Sequence, residues 1–223
     1  ADKPGFGKNN GEPAGNDWKL PDGIRLVERP GKRFDPDLDK LYGINNAFYA
    51  ELNFVNDSTT GGPRNFFIDP GLCVVAVAPG IQNGAFMGRE PVTVPPKGSG
   101  PGGRNDTTTI YLGMACLNAT ALVPWAAVEN DPDTEMYPIA RNIMRIGKIT
   151  NDANFKKLFD ILKEYDLRLK HHYTVPQRRN HEMPPGQDIY EDLQDLVWGI
   201  TDGKGIMKID LDEFLKKIEH LKK

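Results

Sequence analysis

Hydrophobic and polar positions along this chain change their period once, near residue 130. From about Tyr42 they alternate. Ile44, Phe48, Ala50, Leu52 and Phe54 fall on one face, with Asn45, Glu51 and Asn53 on the other, as in a half-buried strand. NDSTTGGPR (56–64) is turn-forming. NFFID (65–69) reads as a second strand, interrupted by Pro70-Gly71. LCVVAVA (72–78) is a continuous apolar run, suited to a strand covered on both faces. EPVTVPP alternates Val92 and Val94, and PPKGSGPGGRND (95–106) has the composition of a flexible loop. TTTIYLGMACLNAT (107–120) supplies a further strand, with Ile110, Leu112, Met114 and Cys116 facing one way. Five or six strands joined by turn residues imply an antiparallel β-sandwich or barrel.

Beyond residue 130 the period is helical. MYPIARNIMRIGK (136–148) fits one short helix or a loop with a helical turn. Phe155, Leu158, Phe159, Leu162 and Leu169 form a stripe, and Asn151 or Asp152 can cap that helix. Residues 171–187 form a long loop. Asp188 with Glu191 offers a capping pair for the next helix, whose apolar stripe is Ile189, Leu193, Val197 and Ile200. Tyr190, Gln194 and Trp198 share the neighbouring stripe, since each is four positions from the next. Asp210 with Glu213 caps a last helix, with Leu211, Phe214, Leu215, Ile218 and Leu221 on one side. Strands first and helices after is an α+β order. The expected organisation is a linker or tether over 1–36, with a short strand at GIRLVE (23–28), a β-sandwich over 37–128, and a helical subdomain over 129–223 packed on it as one unit.

Charge and composition narrow the partners. The chain has 223 residues, with 39% hydrophobic and 26% charged, which is globular. Net charge is −3 and no basic face is concentrated, which speaks against nucleic acid. No apolar run reaches bilayer-spanning length, so no transmembrane segment is expected. The opening Ala1-Asp2 and the following KPGFGKNNGEPAGND resemble the polar tether after a bacterial secretion or lipoprotein signal. That implies an extracytoplasmic place: secreted, periplasmic or lipid-anchored at the surface.

Several chemistries are set aside by spacing. TDGKGIMKIDLDEF ends like a calcium loop. Taking Glu213 as the last ligand puts Asp202 first, Lys204 and Ile206 at the third and fifth positions, and Met207 where Gly is needed. His171, His172 and His181 lack a metal-ligand spacing and read as a solvated loop. GSGPGG lacks the strand–turn–helix context and the Lys of a phosphate loop. No metal and no cofactor are expected. A Cys-dependent acyl transferase or hydrolase built from Cys73 or Cys116 with a loop histidine is a distant alternative, because no base is placed.

The cysteines leave two readings open. Cys73 and Cys116 both lie on expected strands, and a disulfide between them would staple two sheets. It needs Cα atoms within roughly 7 Å. Alternatively, the Cys116 thiol and the Gln194 amide, held together in a dry pocket, lose ammonia and form an internal thioester. Trp198 would then shield it from water.

ACLN (115–118), then Tyr137 and the helix at 155–165, then LQDLVWGITDG (193–203) resemble the thioester domains of bacterial surface adhesins. In that family a Cys at a strand end is linked to the Gln of an apolar-Gln-x-x-apolar-aromatic motif. Leu193-Gln194-Asp195-Leu196-Val197-Trp198 fits the motif at every position, and Cys116 and Gln194, 78 positions apart, come in the family's order. Ala115 departs from it, standing where the family has an aromatic residue or Leu. Residues 68–118, including IDPGLCVVAVAPGIQNG, are also similar to a looser set of secreted bacterial proteins of unknown function with QNG, then CLN. The resemblance implies a surface-anchored adhesion or ligand-binding module. Cys116 would be the acyl carrier and Gln194 the acyl donor. Tyr190 and Trp198 would form a pocket or lid. The partner would be an extracellular protein amine or glycan. In a weaker form the module binds without a covalent bond. A structural envelope protein with a Cys73–Cys116 disulfide is the alternative.

Overall fold

The computed structural model describes residues 2–27, 47–58, 61–77, 79–104, 107–121, 137–138, 144–167 and 187–223. Within them lie ten strands: β1 Gly15–Asn16, β2 Ile24–Leu26, β3 Ala47–Asn56, β4 Arg64–Ile68, β5 Leu72–Ala76, β6 Gly84–Phe86, β7 Glu90–Val94, β8 Thr108–Cys116, β9 Tyr137–Pro138 and β10 Met144–Thr150. The helices are α1 Ala153–Leu162, α2 Gln187–Thr201 and α3 Lys208–Lys217. The chain is α+β, with mostly antiparallel pairing. The main sheet runs β1-β10-β5-β6-β8-β3-β2, and the short β9 adds to β3 in parallel. β4 and β7 form a separate pair.

Strand alternation makes two cores. Leu52, Phe54, Val74, Leu112, Met114 and Cys116 face the β4–β7 pair, which contributes Ile68, Val92 and Val94. Phe66 meets Phe54 edge-on at 5.5 Å. The other face of the sheet presents Cys73, Ala85, Ala115 and Leu117 to the helices, which supply Phe155, Leu158, Leu193, Val197, Phe214 and Ile218. Each large side chain so buried contributes about 1.5–3 kcal/mol. Small residues on the sheet side let α2 settle close to β8.

Three expectations change. Residues 136–148 are not helical where described: Tyr137–Pro138 pairs with β3, and Met144–Thr150 lies in the main sheet between β1 and β5. A bulge between Ile146 and Ile149 breaks the period of two there, which hid the strand. The sheet therefore draws on residues after 129, and the helical layer begins only at Ala153. Secondly, the last helix starts at Lys208 without a side-chain cap, so Asp210 sits in its first turn, where a carboxylate favours the helix dipole. The helix α2 is described from Gln187, and the Asp188 side chain, with its expected cap, lies outside the described residues. Asp152, by contrast, caps α1 as expected, accepting from Asn154 and Phe155.

The third change is the opening segment. Residues 2–27 are folded onto the body instead of forming a tether. β1 pairs with Thr150 and Ile149, and β2 with Phe54–Asn56. Phe6 is buried in the helical core, 5.6 Å from the Phe155 ring. The Gly and Pro residues serve tight turns: Gly5 has φ +82, and a Cβ there would lie 2.4 Å from Pro13. Residues 28–46 lie outside the described residues.

Candidate functional site

β8 ends at Cys116, deep in the molecule. Leu117 donates its N–H to Asn83 on the β6 side, 2.9 Å away. Alternation along the strand turns the Cys116 N–H and C=O the other way, toward β3. The described pairing with β3 ends one residue earlier, at Ala47 opposite Ala115. The Cys116 N–H and C=O, buried as they are, need partners.

Gln194 supplies both. Its Oε1 accepts the Cys116 N–H at 2.7 Å, and its Nε2 donates to the Cys116 carbonyl at 2.8 Å. The carboxamide stands in for one peptide rung of the sheet. Gln194 is 2% exposed, so the pair of bonds is dry. The amphipathic pattern of α2 makes this possible. Ile189, Leu193, Val197 and Ile200 are all buried, which presses the neighbouring Gln194 stripe against the end of β8.

The two expected site residues are thus brought together, by amide and backbone. The Cys116 side chain belongs to the core between the sheets, while Gln194 descends from the helical layer on the other face. Burial pushes the Cys116 thiol up to about 12, so it stays protonated at neutral pH. The Cys116 N–H on Oε1 polarises the carboxamide carbonyl, as an oxyanion donor does.

Trp198 follows Gln194 by one turn and is half-buried. Its indole N–H is buried and has no hydrogen-bond partner among the described residues. Tyr190 falls within α2, but its side chain lies outside the described residues, as do His171, His172 and His181. Among the described residues no group of three His, Cys, Asp or Glu side chains gathers as metal ligands would.

The Cys73–Cys116 disulfide is corrected. Neither cysteine is in a disulfide. Cys73 pairs with Ala85, and Ala85 with Ala115, so β6 separates the two cysteine strands. Two strand spacings put the Cα atoms about 10 Å apart, beyond the roughly 7 Å a disulfide can span. The side chains also face opposite cores.

Two residues missed as functional candidates are Asn83 and Asn118, both fully buried. Asn118 Nδ2 reaches the carbonyls of Gly5, Gly7 and Asn9 at 3.3, 3.1 and 3.3 Å. Asn83 Nδ2 donates to Gly11 at 2.9 Å, and its Oδ1 accepts from Ala76. Asn118 Oδ1 accepts the Asn83 N–H, tying the two together. They strap the opening segment across the end of β8, next to Cys116. The QNG and CLN triplets were their visible signal, without a partner to read them against.

The fold and site define a class: an α+β protein whose central strand ends on a buried Cys–Gln contact. Comparison with known protein families, with curated proteins and with solved structures finds no match for this chain.

Proposed function

We propose that this protein is an extracytoplasmic, surface-anchored adhesion or ligand-binding module whose Cys116 and Gln194 are the halves of an internal thioester. The observation that carries the reading is the contact itself. Residues 78 apart meet in a dry interior, amide against backbone, at 2.7 and 2.8 Å. The motif around Gln194 and the strand end at Cys116 match the adhesin pattern at the positions that this contact uses.

In the forming step, Sγ adds to Gln194 Cδ, the S–H proton passes to the amide nitrogen, and the Cδ–N bond breaks to release ammonia. The product is an acyl donor. An amine on an extracellular partner attacks Cδ, forms an amide and returns the Cys116 thiol. Trp198 shields the site from water. The Gln194 amide must leave its bond to the Cys116 carbonyl as the sulfur approaches. A membrane span would be a separate matter: among the described residues no helix is long and apolar enough to cross a bilayer.

Intact mass of the folded protein without reductant tests the reading. The expected mass is one ammonia below that of the unmodified chain, and methylamine adds once while a second titratable thiol appears. An unmodified mass with two thiols from the outset refutes the covalent form.

One observation favours a second reading. Both hydrogen-bonding groups of the Gln194 amide are satisfied by the Cys116 backbone, and the thiol faces the other core. In that case the contact is a structural joint, and the module binds its ligand without a covalent bond.

A further inference from the structure

A cleft of about 450 Å³ lies away from the Cys–Gln contact, between the end of α1, the turn after β6 and the final residue of the chain. Its volume is within the range of small-molecule sites. The floor is apolar: Met87, Leu162 and Leu167 line it and are all buried. Phe159 and Tyr165 add ring surface. Gly88 keeps two walls close, since a Cβ there would lie 2.9 Å from the Leu167 carbonyl.

The rim carries the opposite chemistry. Arg89, Lys163 and Lys223 line it together with Asp166, in a chain whose net charge is −3. Arg89 is held over the Phe67 ring at 3.5 Å, and Lys223 Nζ donates to the Lys163 carbonyl at 3.1 Å. Two acids already beside these cations are weak competitors. Asp69 lies 3.6 Å from Arg89 and Asp160 3.2 Å from Lys163, and all four side chains are more than half exposed. Exposed pairs of this kind contribute about 0–1 kcal/mol. A carboxylate anchored by an apolar body on the cleft floor displaces them.

We infer that this cleft binds a small organic acid: one carboxylate on a ring-sized body. The ring rests on Phe159 and Leu162, and the carboxylate bridges Arg89 and Lys163. Two sources share that chemistry, an acidic sugar and an aromatic acid. This site is independent of the thioester reading.

Saturation-transfer NMR titrations of the full chain test it. The probes are glucuronate and 3-phenylpropionate, each beside its neutral counterpart, glucose and 3-phenylpropionamide. At least one acid is expected to bind with a Kd below about 10 mM, and its neutral counterpart about tenfold more weakly. Binding of glucuronate alone assigns the cleft to acidic sugars. Binding of 3-phenylpropionate alone assigns it to aromatic acids. Arg89→Ala with Lys163→Ala, both exposed and outside the core, is expected to weaken the bound acid about fivefold with unchanged circular dichroism. No binding of either acid by that concentration, equal binding of the neutral counterpart, or an unaffected double variant overturns the inference.

Discussion

Replacing Gln194 by Glu changes one atom of the carboxamide and tests which of its two bonds matters. The Cys116 N–H still finds an acceptor oxygen. The Cys116 carbonyl, which now receives an N–H at 2.8 Å, instead faces an oxygen that must carry a proton to donate. Glutamate ordinarily titrates near 4.3, so holding it protonated at pH 7 costs about 4 kcal/mol at ~1.36 kcal/mol per pH unit. Leaving it ionised against a carbonyl in this dry site costs more. For a chain of this size that is a melting-temperature drop of about 8–16 °C. The sign follows from the raised folded-state pKa. The variant has its full stability below the unfolded value, near pH ~4, and loses it as pH rises toward the folded value. Cys116→Ala removes the thiol, so comparing Cys116→Ala with Cys116→Ala/Gln194→Glu isolates the hydrogen bond from any covalent chemistry. Thermal unfolding followed by far-UV circular dichroism from pH 4 to 8 gives the difference. It should be small at pH 4 and widen steadily to pH 7. A difference that is flat with pH, or below about 1 kcal/mol at pH 7, would show that the Gln194 amide does not donate to the Cys116 carbonyl.

Two further outcomes probe the parts around this joint. Asn118→Leu orphans the Asn83 N–H and strips a donor from the buried carbonyls of Gly5 and Gly7, so the urea midpoint should fall by the equivalent of about 3 kcal/mol. Proteolysis within residues 2–12 should accelerate, and an unchanged cleavage rate would contradict the strap. Asp152→Ala removes the α1 cap and the Lys3 partner and should cost about 1–2 kcal/mol near neutral pH. Burial raises the Asp152 carboxyl, but the Lys3 ammonium and the N–H groups of Phe155 and Asn154 outweigh it and hold its pKa below the ordinary carboxylate value. Its contribution is therefore present above that ordinary value and lost as pH falls through the folded one, so the gap between wild type and variant, measured by denaturant unfolding, should close toward low pH.

Much of this architecture is written locally. Strands β3, β4, β5, β7 and β8 announce themselves by alternation or by apolar runs, because a strand's two faces sort side chains at every second residue. The α1 and α2 stripes and the Asp152 cap are equally local, since a helix sorts its neighbours three and four residues apart. That is why Gln194 is placed beside the buried stripe of α2 from the sequence alone. Its pairing with Cys116 came through a motif, and the contact follows that pairing.

Tertiary structure decided the rest. A Gly- and Pro-rich start has the composition of a tether until two buried asparagines elsewhere claim its carbonyls. β10 looks helical because a bulge disturbs its period, and only its place between β1 and β5 makes it a strand. Cys73 and Cys116 look like disulfide partners until the sheet order sets β6 between them and turns their side chains to opposite cores. The use of Gln194 belongs here too. The need it meets is that of a buried N–H and C=O at the end of β8. That need exists only once the sheet is assembled and the interior is closed to water. No run of residues encodes such a need, because it is a property of the assembled sheet.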